Sequence, residues 1–379
     1  MKKIYLDYAA TTPVDPRVLE AMMPYFCDNF GNTMSLHSFG QKARMALDES
    51  RKTVADFIGA KPEEIIFTSS ATESNNFALK GIAFANEKKG NHIIISAIEH
   101  ACIMESAKWL GGRGFKITHI PVDRFGVVNV DDVSKAITKE TILISVMHVN
   151  NELGSIQPIA KIGQIAKENN IYFHSDCAQS LGKIPVNVND LNVDLLTASG
   201  HKIYGPKGIG ILFVKRGVKI EPLLNGGGQE LGLRSSTSNV AGAVGFAKAL
   251  ELFNQKEKTA ELREYLCSGV LSIPGSRLNS PKTGVPGILN FSFFGVEGEA
   301  ITMRLDIDGI AVSTGSACSS SKLTASHVLL ATGMKPEEAH GSLRVSIGRW
   351  TTKEDIDYFI KSLLKNINQL REISPFKNV

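Results

Sequence analysis

The apolar positions of this chain follow two rhythms that alternate along its first two thirds. Five short, β-rich apolar runs lie between Glu64 and Val214, at residues 65–67, 92–95, 142–147, 171–173 and 195–198. Such runs are too short for helices and read as strands buried on both faces. Between most of them the spacing becomes that of amphipathic helices, over residues 72–85, 102–110, 130–137 and 159–167. Strand and helix alternating in this way predict an α/β fold with a mainly parallel sheet covered on both sides. A further run at 209–214 follows a short glycine-containing turn and is expected to be antiparallel. Asp15-Pro16 supplies an N-cap and a first-turn proline for a helix to about Phe26. A long helix from about Phe39 should close at Gly59 and Pro62.

The pattern changes near residue 250. A small-residue helix over 241–251 gives way to a charged, solvated helix over 256–266, then to an α+β region with apolar runs at 288–294, 310–313 and 343–347. The last helix has Thr351 and Glu354 in capping-box spacing, with Ile356, Phe359, Ile360, Leu363, Ile367 and Leu370 on its apolar face. At 379 residues and 43% hydrophobic content, two well-filled domains are expected.

Charge adds little. The 42 basic and 38 acidic residues give a net +4, with no block longer than a pair such as Lys88-Lys89, so no nucleic-acid or membrane partner is expected. No run approaches the roughly 18 apolar residues of a membrane span. Residues Met1 to Asp7 lack a signal-peptide core. Five scattered cysteines point to reduced thiols and a cytoplasmic protein, and their irregular spacing gives no reason to expect a metal site. Cys27 and Cys267 fall on predicted helices, where packing is their expected role.

In parallel sheets, ligands bind beyond the carboxyl ends of the strands. The residues there are Thr68 to Thr72, Glu99-His100, Asn150 to Glu152, Asp176 with Gln179, and His201-Lys202. Lys202 lies between two buried strands among small residues, and reads either as a solvated loop lysine or as a Schiff-base amine for a carbonyl cofactor. Asp176 is either a turn residue or the partner of a protonated pyridine nitrogen. The segment from Thr68 to Thr72 either caps a helix or binds a phosphate at its N-terminus. His100 is either structural or stacks on a ring and moves protons. Arg344 serves an ordinary ion pair or a substrate carboxylate. Cys318, in the polar run Ser313 to Ser321, is set apart from the other cysteines as a candidate nucleophile.

Six motifs together resemble the cysteine desulfurases of the class V aminotransferase group, in the iron–sulfur and nitrogen-fixation branch. They are Leu6-Asp-Tyr-Ala-Ala-Thr-Thr-Pro13, Glu99-His100, Asn150-Asn-Glu-Leu-Gly154, His201-Lys-Ile-Tyr-Gly-Pro-Lys-Gly208, Gly226-Gly-Gly-Gln-Glu230 and Gly315-Ser-Ala-Cys318. The resemblance implies a fold type I pyridoxal 5'-phosphate (PLP) transferase. Its large cofactor-binding domain would span 15–250, with a small domain from 1–14 and 251–379. It further implies that Lys202 holds the cofactor, Asp176 pairs with its ring nitrogen, His100 stacks on it and Gln179 bonds its phenolic oxygen. Ala71, Thr72, Ser199 and His201 would meet the phosphate, joined by Thr237 of the neighbouring subunit in a homodimer. Asn150 and Arg344 would bind L-cysteine. Cys318 would take the sulfur as a persulfide, leaving alanine and passing sulfur to an iron–sulfur scaffold or another acceptor. Selenocysteine lyase, another PLP-dependent β-elimination and a catalytically silent partner-binding relative are the alternatives. Three departures stand out: Ser70 and Ser236 where the family usually has glycine, and Thr33-Met34 in place of proline and serine.

Overall fold

The computed structural model describes residues 3–253, 259–315 and 325–374. Its strands are β1 (Ile4–Tyr5), β2 (Ile65–Thr68), β3 (His92–Ser96), β4 (Lys116–Ile120), β5 (Thr141–Ser145), β6 (Tyr172–Asp176), β7 (Leu195–Ser199), β8 (Gly210–Val214), β9 (Ser276–Leu278), β10 (Ile288–Phe293), β11 (Ile310–Ala311) and β12 (Ser342–Ser346). Seven of them form one sheet in the order β2-β8-β7-β6-β5-β3-β4. Every pairing from β3 to β7 is parallel, and β8 runs antiparallel to both β2 and β7, as its short connection predicts. Within this sheet the strand that the apolar pattern does not predict is β4; outside it the pattern also does not predict the short β1 and β9. Strand β4 is the sheet edge, and its exposed Lys116 and His119 break the apolar run that betrays the inner strands.

Alternation along the central strands sends neighbouring side chains into opposite cores. Ile94, Ile144, Phe173, Leu196 and Phe213 pack with helix residues Val54, Ile58, Ile162 and Phe246 on one face. Ile93, Ile95, Leu143, Leu195 and Leu212 pack with Phe77, Ile82, Ile103 and Leu110 on the other. A third core gathers Ile4 and Leu6 with Phe291, Leu305, Leu343, Phe359 and Leu363. It is organised by β12-β10-β9, which are antiparallel, and by β1 pairing with β11.

The helices Ala71–Ala85, Ala101–Gly111, Val130–Ala136, Ile159–Glu168 and Val240–Glu251 lie close to their expected positions. Asp15 caps Pro16–Met22 by accepting from the Arg17 N–H at 3.0 Å. That helix stops short of Phe26 because Pro24 cannot donate and opens a separate turn, Pro24–Cys27, which leaves Cys27 exposed rather than packed. The helix Ser38–Ile58 ends where Gly59 turns left-handed at φ 73°. The charged helix is described over Thr259–Leu271 and ends later than expected, the start of its expected range lying outside the described residues. The final helix, Lys353–Ile373, is capped one residue later than expected, by Thr352 with Asp355. Thr351 instead turns its Oγ1 to the Gly348 N–H at 3.0 Å.

Candidate active site

Lys202 ends a single helical turn, Gly200–Lys202, that leaves β7, and Asp176 is the last residue of the adjacent parallel strand β6. The segment after β1 closes over this corner. Lys202 Nζ donates to the Ala9 and Ala10 carbonyls at 2.7 Å each, and Thr12 Oγ1 donates to the His201 carbonyl at 2.9 Å. Just beyond, Tyr204 holds a left-handed backbone at φ 65°, which for a side chain of this size costs on the order of 1–3 kcal/mol. Its N–H donates to Thr12 Oγ1 at 2.8 Å, and its hydroxyl accepts from the Arg349 N–H at 2.6 Å. These bonds from both chain ends hold the turn that presents Lys202.

Asp176 is buried, with Oδ2 accepting from Asn75 Nδ2 at 2.6 Å and Oδ1 from the Ala178 N–H at 2.9 Å. Anchored this way, the carboxylate stays an acceptor with a fixed direction. Asn75 was not legible as a site residue in the sequence; its one signal is that it lies three positions after Thr72, on the same face of a helix. His100 is the N-cap of Ala101–Gly111, and its Nδ1 accepts from the Cys102 N–H at 3.3 Å, which leaves the ring proton on Nε2. Burial lowers the His100 pKa, Asp176 opposes this, and Lys202 and His327 add to it. The imidazole is therefore neutral at physiological pH and within electrostatic reach of both Asp176 and Lys202.

Gln179 donates from Nε2 to the Ala9 carbonyl at 2.8 Å. Its amide orientation is set by Lys183, whose Nζ donates to Gln179 Oε1. Lys183, another residue missed in the sequence, has its pKa pushed down to about 7 by burial, then by Lys202 and Arg344. Ala71 and Thr72 open the helix Ala71–Ala85 with backbone N–H groups facing outward along the axis. Ser70 sits there in extended backbone at φ −172°, which any residue adopts, and its hydroxyl accepts from the Glu73 N–H at 3.2 Å. Serine in place of the usual glycine thus adds a helix cap without strain. Gly210 cannot vary in this way, because a Cβ there would lie 2.7 Å from the Ser70 carbonyl carbon. Ser199, paired with Gly210 across β7 and β8, is buried beside this cup. His201 is half-buried with its Nδ1 3.1 Å from Thr11 Oγ1, and burial followed by Lys202 brings its pKa down to about 4. Thr237 lies apart on an exposed stretch before the helix Val240–Glu251.

Arg344, on β12, is 3% exposed and donates to Asp7 Oδ1 at 2.9 Å and to the Asn151 carbonyl at 3.1 Å. The ordinary ion pair is thus present, yet Arg344 Nε is buried with no hydrogen-bond partner among the described residues. Asn150 is fully buried and engaged within its own turn, accepting from the Glu152 and Leu153 N–H groups and donating to the Ile98 carbonyl. Cys318 lies outside the described residues. The chain on either side of its segment is anchored at the site. Ser313 exchanges two backbone hydrogen bonds with Arg344, and His327 Nε2 lies 2.9 Å from the Glu99 carbonyl.

Glu99 is completely buried, its Oε1 accepting from Ser96 Oγ at 2.6 Å and from the Met147 N–H at 2.8 Å, and burial pushes its pKa up to about 8. A carboxyl whose folded pKa lies above its unfolded value stabilises fully below the unfolded value, and that stability is lost as pH rises through the folded one. The Glu99 contribution should therefore be lost between about pH 4.5 and 8, against the opposite contribution of buried histidines such as His148 and His174, whose lowered pKa values add stability as pH rises. Glu99→Gln is expected to remove the Glu99 part of the slope in melting temperatures taken across that range. An unchanged slope would show that Glu99 is ionised in the folded state.

An amine, a directed carboxylate, an oriented amide donor, a flat neutral imidazole and a helix N-terminus form a donor set that fits a phosphorylated pyridine aldehyde. Asn75 Oδ1 and Arg344 Nε, without a hydrogen-bond partner among the described residues, leave polar capacity at the site. The family described as Aminotransferase class-V matches residues 4–359. A cysteine desulfurase IscS of Clostridium botulinum is 51% identical, with 99% of this chain and 96% of that protein covered. One of Methanosarcina thermophila is 48% identical over 99% of this chain and 94% of its own. Among solved structures, a NifS-like protein superposes with a TM-score of 0.92 at 38% identity, covering 97% of this chain and all of that one. SspA in complex with cysteine gives 0.85 at 39% identity over 93% of this chain. The chain belongs to the class-V aminotransferase family, in its cysteine desulfurase branch.

Proposed function

We propose that this protein is a PLP-dependent cysteine desulfurase that converts L-cysteine to L-alanine and leaves the sulfur as a persulfide on Cys318. The observation that carries the reading is that the chain enters the Cys318 segment paired to Arg344 and leaves it against Glu99, next to His100. The described chain on both sides of that segment is thus anchored beside the corner that holds Lys202 and Asp176. The two described thiols nearest the strand ends are poor nucleophiles: burial pushes Cys102 and Cys177 up to about 12.

When bound, PLP acts as an electron sink for carbanion chemistry at an amino acid. Lys202 would hold it, Asp176 would face its ring nitrogen, Gln179 its phenolic oxygen, and the Ala71–Thr72 helix start with Ser199 and His201 its phosphate. Arg344 would take the substrate carboxylate in its bidentate fork. Lys202 Nζ and His100 Nε2 would carry protons at the reacting carbons. The Cys318 sulfur would then attack the substrate sulfur. An S–S bond forms, the C–S bond breaks, and the electron pair stays on the carbon, which takes a proton to become the methyl group of alanine. Thiol plus cysteine thus gives persulfide plus alanine without an external oxidant. The persulfide would pass to an iron–sulfur scaffold or another sulfur acceptor. Free cysteines at 27, 102, 177 and 267 fit a reducing, cytoplasmic setting.

The same reading includes a homodimer. Leu36 is 91% exposed, with Phe30, Met34, Phe39 and Met45 all more than half exposed nearby in sequence, and the Phe30 and Phe39 rings lie 5.7 Å apart. An apolar cluster of this kind calls for a covering surface. The exposed Thr237 loop would then reach the neighbour's phosphate. Leu36→Glu is expected to give a monomer by sedimentation, with weakened PLP retention and unchanged secondary structure. A variant that remains dimeric would remove this patch from the interface.

A further inference from the structure

Glu152, in the second position after Asn150, has no assigned part in the chemistry above, yet its carboxyl group lies at the junction of the site. It is 4% exposed, and its Oε2 accepts from Ser326 Oγ at 2.5 Å. Ser326 is the second described residue on the far side of the Cys318 segment, caps the following turn through the Leu329 N–H at 3.3 Å, and precedes His327. On the near side, Gly315 packs so closely that a Cβ there would lie 2.2 Å from the same Oε2. One carboxylate oxygen therefore touches the chain at both ends of the segment that carries Cys318.

We propose that Glu152 is a positioning residue that clasps the two ends of the Cys318 segment, Gly315 and Ser326, beside Arg344. The inference rests on the desulfurase reading and deepens it by naming what sets the origin of the attacking thiol. Its own location is fixed from below, since its N–H donates to Asn150 Oδ1 at 2.9 Å and the Asn150 amide in turn holds the Ile98 carbonyl at 3.0 Å. The Asn150-Asn-Glu motif thereby acquires a physical role, in which Asn150 builds the turn and Glu152 grips the ends of the segment. Glycine at 315 follows directly, because any side chain would displace the carboxyl. Burial pushes the Glu152 pKa up to about 7, opposed by the Ser326 hydrogen bond and by Arg344. An uncharged glutamine, which keeps an acceptor oxygen for Ser326, should therefore be tolerated. Alanine removes the grip from both ends.

The test uses the PLP-loaded enzyme and three variants, Glu152→Ala, Glu152→Gln and Ser326→Ala. The visible cofactor band, and its change on adding L-cysteine, reports folding and substrate binding independently of sulfur transfer. Glu152→Ala is expected to keep both signals and a KM within about twofold, while kcat for alanine formation falls by about 10- to 100-fold, as misplacement of a reacting group by an ångström does. Ser326→Ala should show the same split to a smaller degree, and Glu152→Gln should stay within about threefold of the unmodified enzyme. Equal losses in the alanine and glutamine variants, or an unchanged kcat in Glu152→Ala, would overturn the clasp. A Cys318→Ala control separates the two readings. If that control is inactive while Glu152→Ala is normal, only the clasp falls. If it still makes alanine, the desulfurase assignment of Cys318 falls first.

Discussion

Replacing Cys318 by alanine is expected to abolish sulfur transfer, lowering alanine formation from L-cysteine by on the order of 10³-fold or more, while the protein keeps its visible cofactor band. The magnitude follows from the division of labour in the site. In the proposed reaction Lys202, Asp176, Gln179 and His100 would hold the cofactor or carry protons, and none can accept a sulfur atom. Cys102 is close to His100, with its Sγ 3.1 Å from the imidazole Nδ1, but its thiol is held protonated by burial and by Asp176, so it does not substitute. The check is a single-turnover assay of alanine in the presence of a reductant, with absorbance recorded in parallel. Persistent alanine formation in the variant would move the nucleophile elsewhere in the chain.

Lys202→Ala is expected to be the second severe change. The variant loses the amine that would hold the cofactor aldehyde and carry a proton at the substrate, and proton transfer by a placed side chain alone contributes about 10²–10⁴-fold. Turnover should fall by on the order of 10³-fold, and the cofactor should wash out on gel filtration where the unmodified protein retains it. The fold should survive, because Lys202 Nζ makes its bonds to backbone carbonyls of Ala9 and Ala10 that water can satisfy once the side chain is gone. Lys202→Arg is the control for charge: it keeps a cation on those carbonyls and still fails, since a guanidinium is not deprotonated in proteins and cannot hold an aldehyde. A Lys202→Ala enzyme with near-normal turnover would assign the cofactor to another amine, and Lys183 would be the next candidate because burial brings its pKa down to about 7.

Much of the architecture was readable because the inner strands are apolar on both faces and helices of regular period separate most of them. Where the sequence misleads, a local cause is visible. The edge strand β4 alternates lysine, threonine and histidine with isoleucine, so it carries no continuous apolar run. Pro24 and the Thr352 cap moved helix boundaries by a few residues without changing which face is buried. The strand-end rule placed Thr72, His100, Asp176 and Lys202 in one corner, since position along a parallel strand is encoded in sequence. The supporting partners were not legible. Asn75 on Asp176, Asp7 on Arg344 and Glu152 on Ser326 join residues far apart in the chain, and Lys183 reaches Gln179 from four residues on, outside any motif. Such pairs depend on side-chain directions that appear only once the sheet is assembled. Helix-forming periodicity says nothing about them.

The central claim, transfer of sulfur from cysteine to Cys318, is tested most directly by mixing the PLP-loaded protein with a limiting amount of L-cysteine without reductant. Alanine is then quantified, and the peptide containing residue 318 is weighed by mass spectrometry. The account predicts one alanine for each cysteine consumed and a Cys318 peptide heavier by one sulfur atom, with the peptides of Cys27, Cys102, Cys177 and Cys267 unmodified. Pyruvate and ammonia in place of alanine, or alanine accompanied by an unmodified Cys318 peptide, would contradict it.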